Sequence, residues 1–215
     1  MRTLVVVAAL IVLSAAKASA QKIVGGAIGA SSQSAGASDI PYLGPPFGGD
    51  SISGLGLIDF HFRGHFTIGG EASLAGPITG TQTQRTTASS NAFESRHRDS
   101  VFSGVLKFGV PIGSRVRAAA AGGAGGAWRR TVRSGTTASI FPPSSRQPFS
   151  DTLSDFVFAY TFGGDVQVRL TDRVSALALA RWHRLRDNDL QSDGVVKRGI
   201  SSNIVRYGAG ATFRF

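Results

Sequence analysis

Cysteine is absent from the 215-residue chain. That argues against a small disulfide-stapled secreted scaffold and against lipid attachment at an N-terminal cysteine. Long apolar runs are missing too. Only Leu4–Leu13 approaches one, and it falls short of the roughly 20 residues a spanning helix needs. Acidic residues are few, 13 against 23 Lys and Arg, for a net charge of +10. An excess of base points to anionic lipid, acidic glycan or nucleic acid. No nucleic-acid motif is visible, and the export signal described next argues against that partner.

What is present begins with "MRTLVVVAALIVLSAAKASA". Arg2, the short apolar run, and small residues at Ala18 and Ala20 predict a cleavable signal peptide over 1–20, with cleavage before Gln21. Removing Arg2 and Lys17 lowers the charge from +10 to +8. Residues 21–215 then form one domain. Its 28 glycines, with many serines and threonines, favour strands and loops over helices.

Period-two alternation supplies the fold class. In "DFVFAYTFGGDVQVRL", Phe156, Phe158, Tyr160, Phe162, Val166, Val168 and Leu170 share one face, and Asp155, Thr161, Asp165, Gln167 and Arg169 lie on the other. A helix would scatter these residues around its circumference. The same alternation runs through 51–62, 65–74, 100–110, 115–130 and 204–215. In "RVSALALARWHRLR" the two faces are ambiguous, because Leu177 and Leu179 share a side with Arg181 and His183. "KIVGGAIGA" (22–30) is the candidate first strand. The run "AAAAGGAGG" lacks the last glycine of a dinucleotide fingerprint and fits a strand of small side chains.

Connections alternate in length. "RG", "PIGS" and "TDR" are tight turns; Ser31–Asp50, Gly76–Asp99, Ser134–Ser154 and Asp187–Ser201 read as long solvated loops. Short turns on one side and long loops on the other are typical of a transmembrane barrel. With both termini on the short-turn side, the aromatics fall into two rings. Trp128, Trp182, Phe102, Phe156, Phe158 and Tyr207 form the outer one. Phe60, Phe62, Phe66, Phe108, Phe213 and Phe215 form the inner one. Two aromatic girdles around an apolar band mark a lipid-facing surface.

The expectation is an all-β, eight-stranded, antiparallel up-and-down transmembrane β-barrel. The chain resembles the small outer-membrane barrels of the OmpA/OmpX type over nearly all of 21–215. The most specific element is the final strand, with Tyr207, Ala209, Ala211, Phe213 and Phe215 matching the terminal-aromatic pattern. The resemblance implies a bacterial outer-membrane location. It also implies that Tyr207, Phe213 and Phe215 form the signal read by the barrel-assembly machinery. No appended peptidoglycan-binding domain is expected.

Inside the barrel, Asp59, Glu71, Asp155 and Asp165 are expected with Lys107, Arg115, Arg117, Arg129, Arg169, Arg206 and Arg214. Eight strands leave a lumen that side chains can fill, so these charges are read as a paired plug. Arg96, Arg98, Arg129, Arg130, Arg133, Arg181, Arg184 and Arg186 are read as an outer basic rim. Lipopolysaccharide phosphates and plain solvent are the alternative surroundings of that rim. His97, near Glu94, Ser95, Asp99 and Ser100, and His183, near Asp187 and Asp189, are the histidines placed for acid–base chemistry. No cofactor, metal site or catalytic residue is expected. The function expected is an integral outer-membrane protein with a structural, envelope-stabilising or surface-interaction role. A narrow porin-like channel and a lipid A-modifying enzyme are the alternatives.

Overall fold

A computed structural model describes residues 21–35, 48–62, 65–85, 89–139, 146–186, 190–192, 195–197 and 202–215. The expected signal peptide lies outside them. All regular structure among the described residues is strand: β1 (Gln21–Ala35), β2 (Gly48–His61), β3 (Phe66–Ala75), β4 (Ile78–Arg85), β5 (Ser89–Ile112), β6 (Val116–Ser139), β7 (Arg146–Arg169), β8 (Val174–Arg186), β9 (Leu190–Ser192), β10 (Val195–Lys197) and β11 (Ser202–Arg214).

Every pairing is antiparallel. Neighbours run β1–β2–β3–β5–β6–β7–β8–β11, and β11 returns to β1, so the sheet closes on itself. Closure leaves no open edge within the ring, which a bilayer requires because lipid cannot satisfy a free N–H or C=O. β3 and β4 lie in series along β5, facing Ser100–Phe108 and Ser90–His97 respectively. The break falls at Gly76–Pro77, where proline has no N–H to donate and Gly76 N–H turns aside to Ile52 O (2.8 Å). The small strands β9 and β10 pair only with each other among the described residues.

Tight connections lie at one end, and the first and last described strands meet there. Ile23 pairs with Arg214, and Phe215 N–H donates to Lys22 O (2.9 Å). Gly113 takes φ +70° in the β5–β6 turn, the left-handed region that glycine enters freely.

The opposite end departs from expectation. The stretches read as loops carry much strand: β1 continues to Ala35, β4 and the start of β5 fill most of 78–99, and β6 and β7 extend to Ser139 and back from Arg146. β5, β6 and β7 have 24 residues each, whereas crossing a bilayer takes about 9–11. Beyond the ring, β4, β5, β6 and β7 pair side by side as a projecting four-stranded sheet. In β6 and β7 these segments escaped detection because neighbouring residues on both faces are exposed, as at Arg146–Pro148 and Ser150–Thr152. Ser, Thr and Gly can make ladder hydrogen bonds without leaving an apolar stripe to read.

Alternation divides inside from outside. On β5 the odd residues from Ser95 to Lys107 are buried, while Phe102, Leu106, Phe108 and Val110 are exposed. The exposed residues are large and apolar all round the ring, among them Ile58, Phe66, Trp128, Phe156, Val166, Trp182, Tyr207 and Phe213. A surface of this kind is in contact with lipid. The two-ring picture needs one correction. Tyr160 and Phe162 are also exposed, so β7 carries aromatics into the apolar band between the rings. Phe158 meets Tyr160 edge-on (4.9 Å), and Phe162 lies against Trp182 (5.9 Å). Gly126 makes room for the Phe156 ring, which a Cβ at that position would strike.

β8 resolves its own ambiguity. Ser175, Leu177, Leu179, Arg181, His183 and Leu185 are buried, and Ala178, Ala180, Trp182 and Arg184 face out. Two apolar clusters line the interior: Val101, Ala127, Val157, Ala159, Leu185 and Ile204, and, separately, Ala27, Leu55, Leu57, Leu177 and Leu179.

Candidate functional site

The interior is the only chemically dense region among the described residues, and two polar clusters occupy it. The first is centred on Lys107 of β5. Its Nζ lies 2.9 Å from Asp59 Oδ2, 2.9 Å from Glu71 Oε1 and 3.1 Å from Asp165 Oδ2. Arg181 of β8 closes the group from the other wall. Its fork meets Glu71 at both oxygens (Nε–Oε2 2.7 Å, Nη2–Oε1 2.6 Å), and Nη2 reaches Asp165 Oδ1 (2.5 Å). Nη1 donates to Gly164 O and Ala180 O. Five strands thus send one charge each to one point: β2, β3, β5, β7 and β8.

Three carboxylates and two cations leave one negative charge. Arg117, at the periplasmic mouth, sits in the field of Asp59 and Asp165 and balances it. Its Nη2 donates to Thr67 Oγ1 (3.1 Å). Charges out of water are tolerable only when paired this closely. The bidentate Arg–carboxylate contact is the strongest form of pairing.

The second cluster surrounds Asp99, nearer the outer mouth. Oδ2 accepts from Gln33 Nε2 (2.7 Å) and lies 2.9 Å from His97 Nε2. Arg129 Nε stands 3.4 Å from Oδ1, and Arg129 Nη2 donates to Ser202 Oγ (2.7 Å). His97 Nδ1 lies 2.8 Å from Thr131 Oγ1. Arg206 of β11 joins the outer cluster to β3, donating to Ser73 Oγ and to the backbone carbonyl of Asp99 (3.0 Å). Between the clusters, Thr161 donates to Ser103 Oγ (3.1 Å) and lies 3.0 Å from His183 Nδ1. Side chains therefore cross the lumen at several heights, in an interior also filled by the two apolar clusters.

The structure brings together Asp59, Glu71, Lys107, Asp165 and Arg117, and places Arg129 and Arg206 in the outer cluster. Four of the residues expected inside stand elsewhere. Arg115 is exposed in the β5–β6 turn, and Arg169 is exposed and faces Asp172 at 3.8 Å. Both carry the inward parity of their strands but lie past the lumen's end. Asp155 is half-buried and accepts the N–H of Phe156 (2.7 Å). Arg214 is half-buried at the seam with β1.

The outer rim also changes. Arg96, Arg98, Arg130, Arg184 and Arg186 are exposed and face outward, but Arg181 is fully buried and Arg129 points into the lumen. His183 moves with Arg181 to the interior, where Thr161 is its neighbour; Asp187 and Asp189 lie outside the described residues. His97 meets Asp99, as its spacing allowed, and Thr131 in place of Ser95 or Ser100.

Sequence reading missed Arg181, Asp99 and Gln33 as lumen residues. The parity signal for Arg181 was present, but Leu177 and Leu179 on the same face masked it. Alternation cannot tell an inward leucine from an outward one.

The lipid band can be sized on β8. Arg173, in the preceding turn, and Arg184 are eleven residues apart, about 28 Å along the barrel axis at ~3.3 Å per residue and ~40° tilt. Outward residues between them are Val174, Ala176, Ala178, Ala180 and Trp182.

No family model and no curated protein sequence matches the chain. Among solved structures it is similar to the attachment invasion locus protein Ail of Yersinia pestis in complex with the heparin analogue sucrose octasulfate (14% identity, 91% of this chain and 99% of that one, TM-score 0.48). It is also similar to Neisserial surface protein A (11%, 90% and 97%, 0.46) and to the outer membrane protein OprG of Pseudomonas aeruginosa (9%, 91% and 96%, 0.44). A closed antiparallel sheet with an apolar exterior and a charged, filled interior is the architecture of a small outer-membrane β-barrel, and the bacterial outer membrane is its place.

Proposed function

We propose that the protein is a non-conducting outer-membrane anchor with a surface-interaction role. Its working part is the projecting sheet formed by the outer halves of β5, β6 and β7 together with β4. One observation carries this reading: Lys107 and Arg181 tie β2, β3, β5, β7 and β8 together across the lumen, through contacts of 2.5 to 3.1 Å. An ion entering this cross-section must separate buried charge pairs. The exposed part of the molecule is then where a partner is met. On β7, pairing with β8 begins only at Phe158, so among the described residues Arg146–Val157 is hydrogen-bonded in a ladder on its β6 side alone.

Catalysis has no part in this reading. Asp99 is shared among Gln33, His97 and Arg129, which suits a structural tie between β1, β5 and β6. The test is conductance of the purified barrel in a planar bilayer, with no steady openings expected. A steady large conductance would restore the channel alternative. Mass spectrometry of lipid A from expressing cells, with unchanged acyl composition expected, checks the enzymatic one.

A further inference from the structure

We propose that the lipid-facing wall of β2, β3 and β5 holds one phosphorylated glycolipid of the outer leaflet, its phosphate on Arg98 and Arg130 and an acyl chain in the groove between β2 and β5. This rests on the outer-membrane reading above.

Two separate features meet here. The first is a shallow groove of about 690 Å³ on the outer wall. Its floor is Gly56, Gly70, Ala72 and Gly104, where the lack of side chains bares the backbone, and Val24, Ile58 and Phe102 border it. A second recess of about 620 Å³, with Ala118, Ala120, Gly164, Ala178 and Ala180 in its floor, lies on the wall of β6, β7 and β8; what singles out the first is its place beside the pair of Arg98 and Arg130. The first groove's volume lies within the usual range for small-molecule sites, and its lining has no outward-facing polar side chain.

The second feature is a cation pair. Arg98 and Arg130 are direct cross-strand partners, and both are exposed on the outward face. Like charges set opposite one another destabilise a sheet unless an anion lies between them. Arginine's planar fork is the side chain best fitted to a phosphate. Neighbouring Arg96 is engaged by Glu94 (2.8 Å), so these two arginines make the clamp.

The features are joined by geometry. Arg98 Nε donates to Ala75 O (3.0 Å), which draws its guanidinium over the outer end of β3. Gly70 and Ala72 of that same strand floor the groove. Ala72 and Ala75 are three residues apart, about 10 Å along the strand, with outward Leu74 between them. A lipid with phosphate at Arg98 and Arg130 therefore has its chain directed past Leu74 into the recess. The arginines are on the long-strand, outer side of the band, which selects the outer-leaflet glycolipid over inner-leaflet phospholipid.

The test compares wild type, Arg98→Gln/Arg130→Gln and a groove-filled Gly104→Leu variant. Each is extracted from outer membranes in mild detergent and weighed by native mass spectrometry. Gel mobility before and after boiling confirms the barrel in each, and a failure there bears on the outer-membrane reading alone. Wild type should carry one lipopolysaccharide molecule. Retention should fall about tenfold in the double arginine variant and clearly in Gly104→Leu. Readdition of dephosphorylated lipopolysaccharide, or of phosphatidylglycerol, should leave wild type largely empty. Equal retention by all three folded proteins, or equal binding of phosphatidylglycerol, would overturn the proposal.

Discussion

Lys107 touches three carboxylates at once and is 2% exposed. Removing one partner of a buried set usually costs about 3–5 kcal/mol, because the charges left behind stay desolvated. Lys107→Met should therefore lower the unfolding free energy of the detergent-folded barrel, measured in urea, by that order, far more than Arg115→Met in the exposed turn. Equal effects would mean that the Lys107 contacts contribute little. Gly126 gives a second residue-scale test, on the other side of the wall. The Phe156 ring occupies the space where its side chain would be. Gly126→Leu should displace the ring and cost about 1–3 kcal/mol, read by the same unfolding series and by changed fluorescence of Trp128, the cross-strand partner of Phe156.

At the scale of the strand, β8 shows what sequence could and could not say. Natural cysteine is absent, so single cysteines report accessibility without background. Placed at 176, 178 and 180 they should react with a lipid-soluble maleimide, and at 177 and 179 they should not; a flat profile would refute the assigned facing. Ala178→Lys should cost about 2–4 kcal/mol near the bilayer midplane, measured by unfolding in liposomes. The strand itself was legible from period-two alternation, as were β2, β3, β5, β7 and β11. Its facing was not. A lumen that buries Leu177 and Leu179 beside Arg181 gives both faces apolar members, and only neighbouring strands decide between them. The meeting of Asp59, Glu71, Lys107 and Asp165 was legible in parity, because charge on an inward row has to be paired. Arg181 as the closing cation was hidden, since its place depends on the stagger between β8 and β3, which local sequence does not record. The outer halves of β6 and β7 were missed for a different reason. Strands wet on both faces have no period to detect.

For the molecule as a whole, the seam between β1 and β11 is where the first and last described strands are zipped, from Ile23–Arg214 to Ala35–Ser202. Phe215 stands just past it, 78% exposed, and contributes one backbone hydrogen bond to Lys22 O. In the folded barrel that bond amounts to about 1 kcal/mol, so deleting Phe215 should barely alter unfolding of protein refolded into liposomes. We propose that the terminal-aromatic pattern shared with Tyr207 and Phe213 gives the residue another role in the cell, as part of a signal by which the assembly machinery takes up the chain. Deletion should then sharply reduce the protein in outer-membrane fractions, with the shortfall found in the periplasm or degraded. The two measurements separate the two roles. A deletion that fails in liposomes as badly as in cells would make Phe215 a structural clasp of the seam. One harmless in both would remove it from the assembly signal and leave Tyr207 and Phe213 to carry recognition.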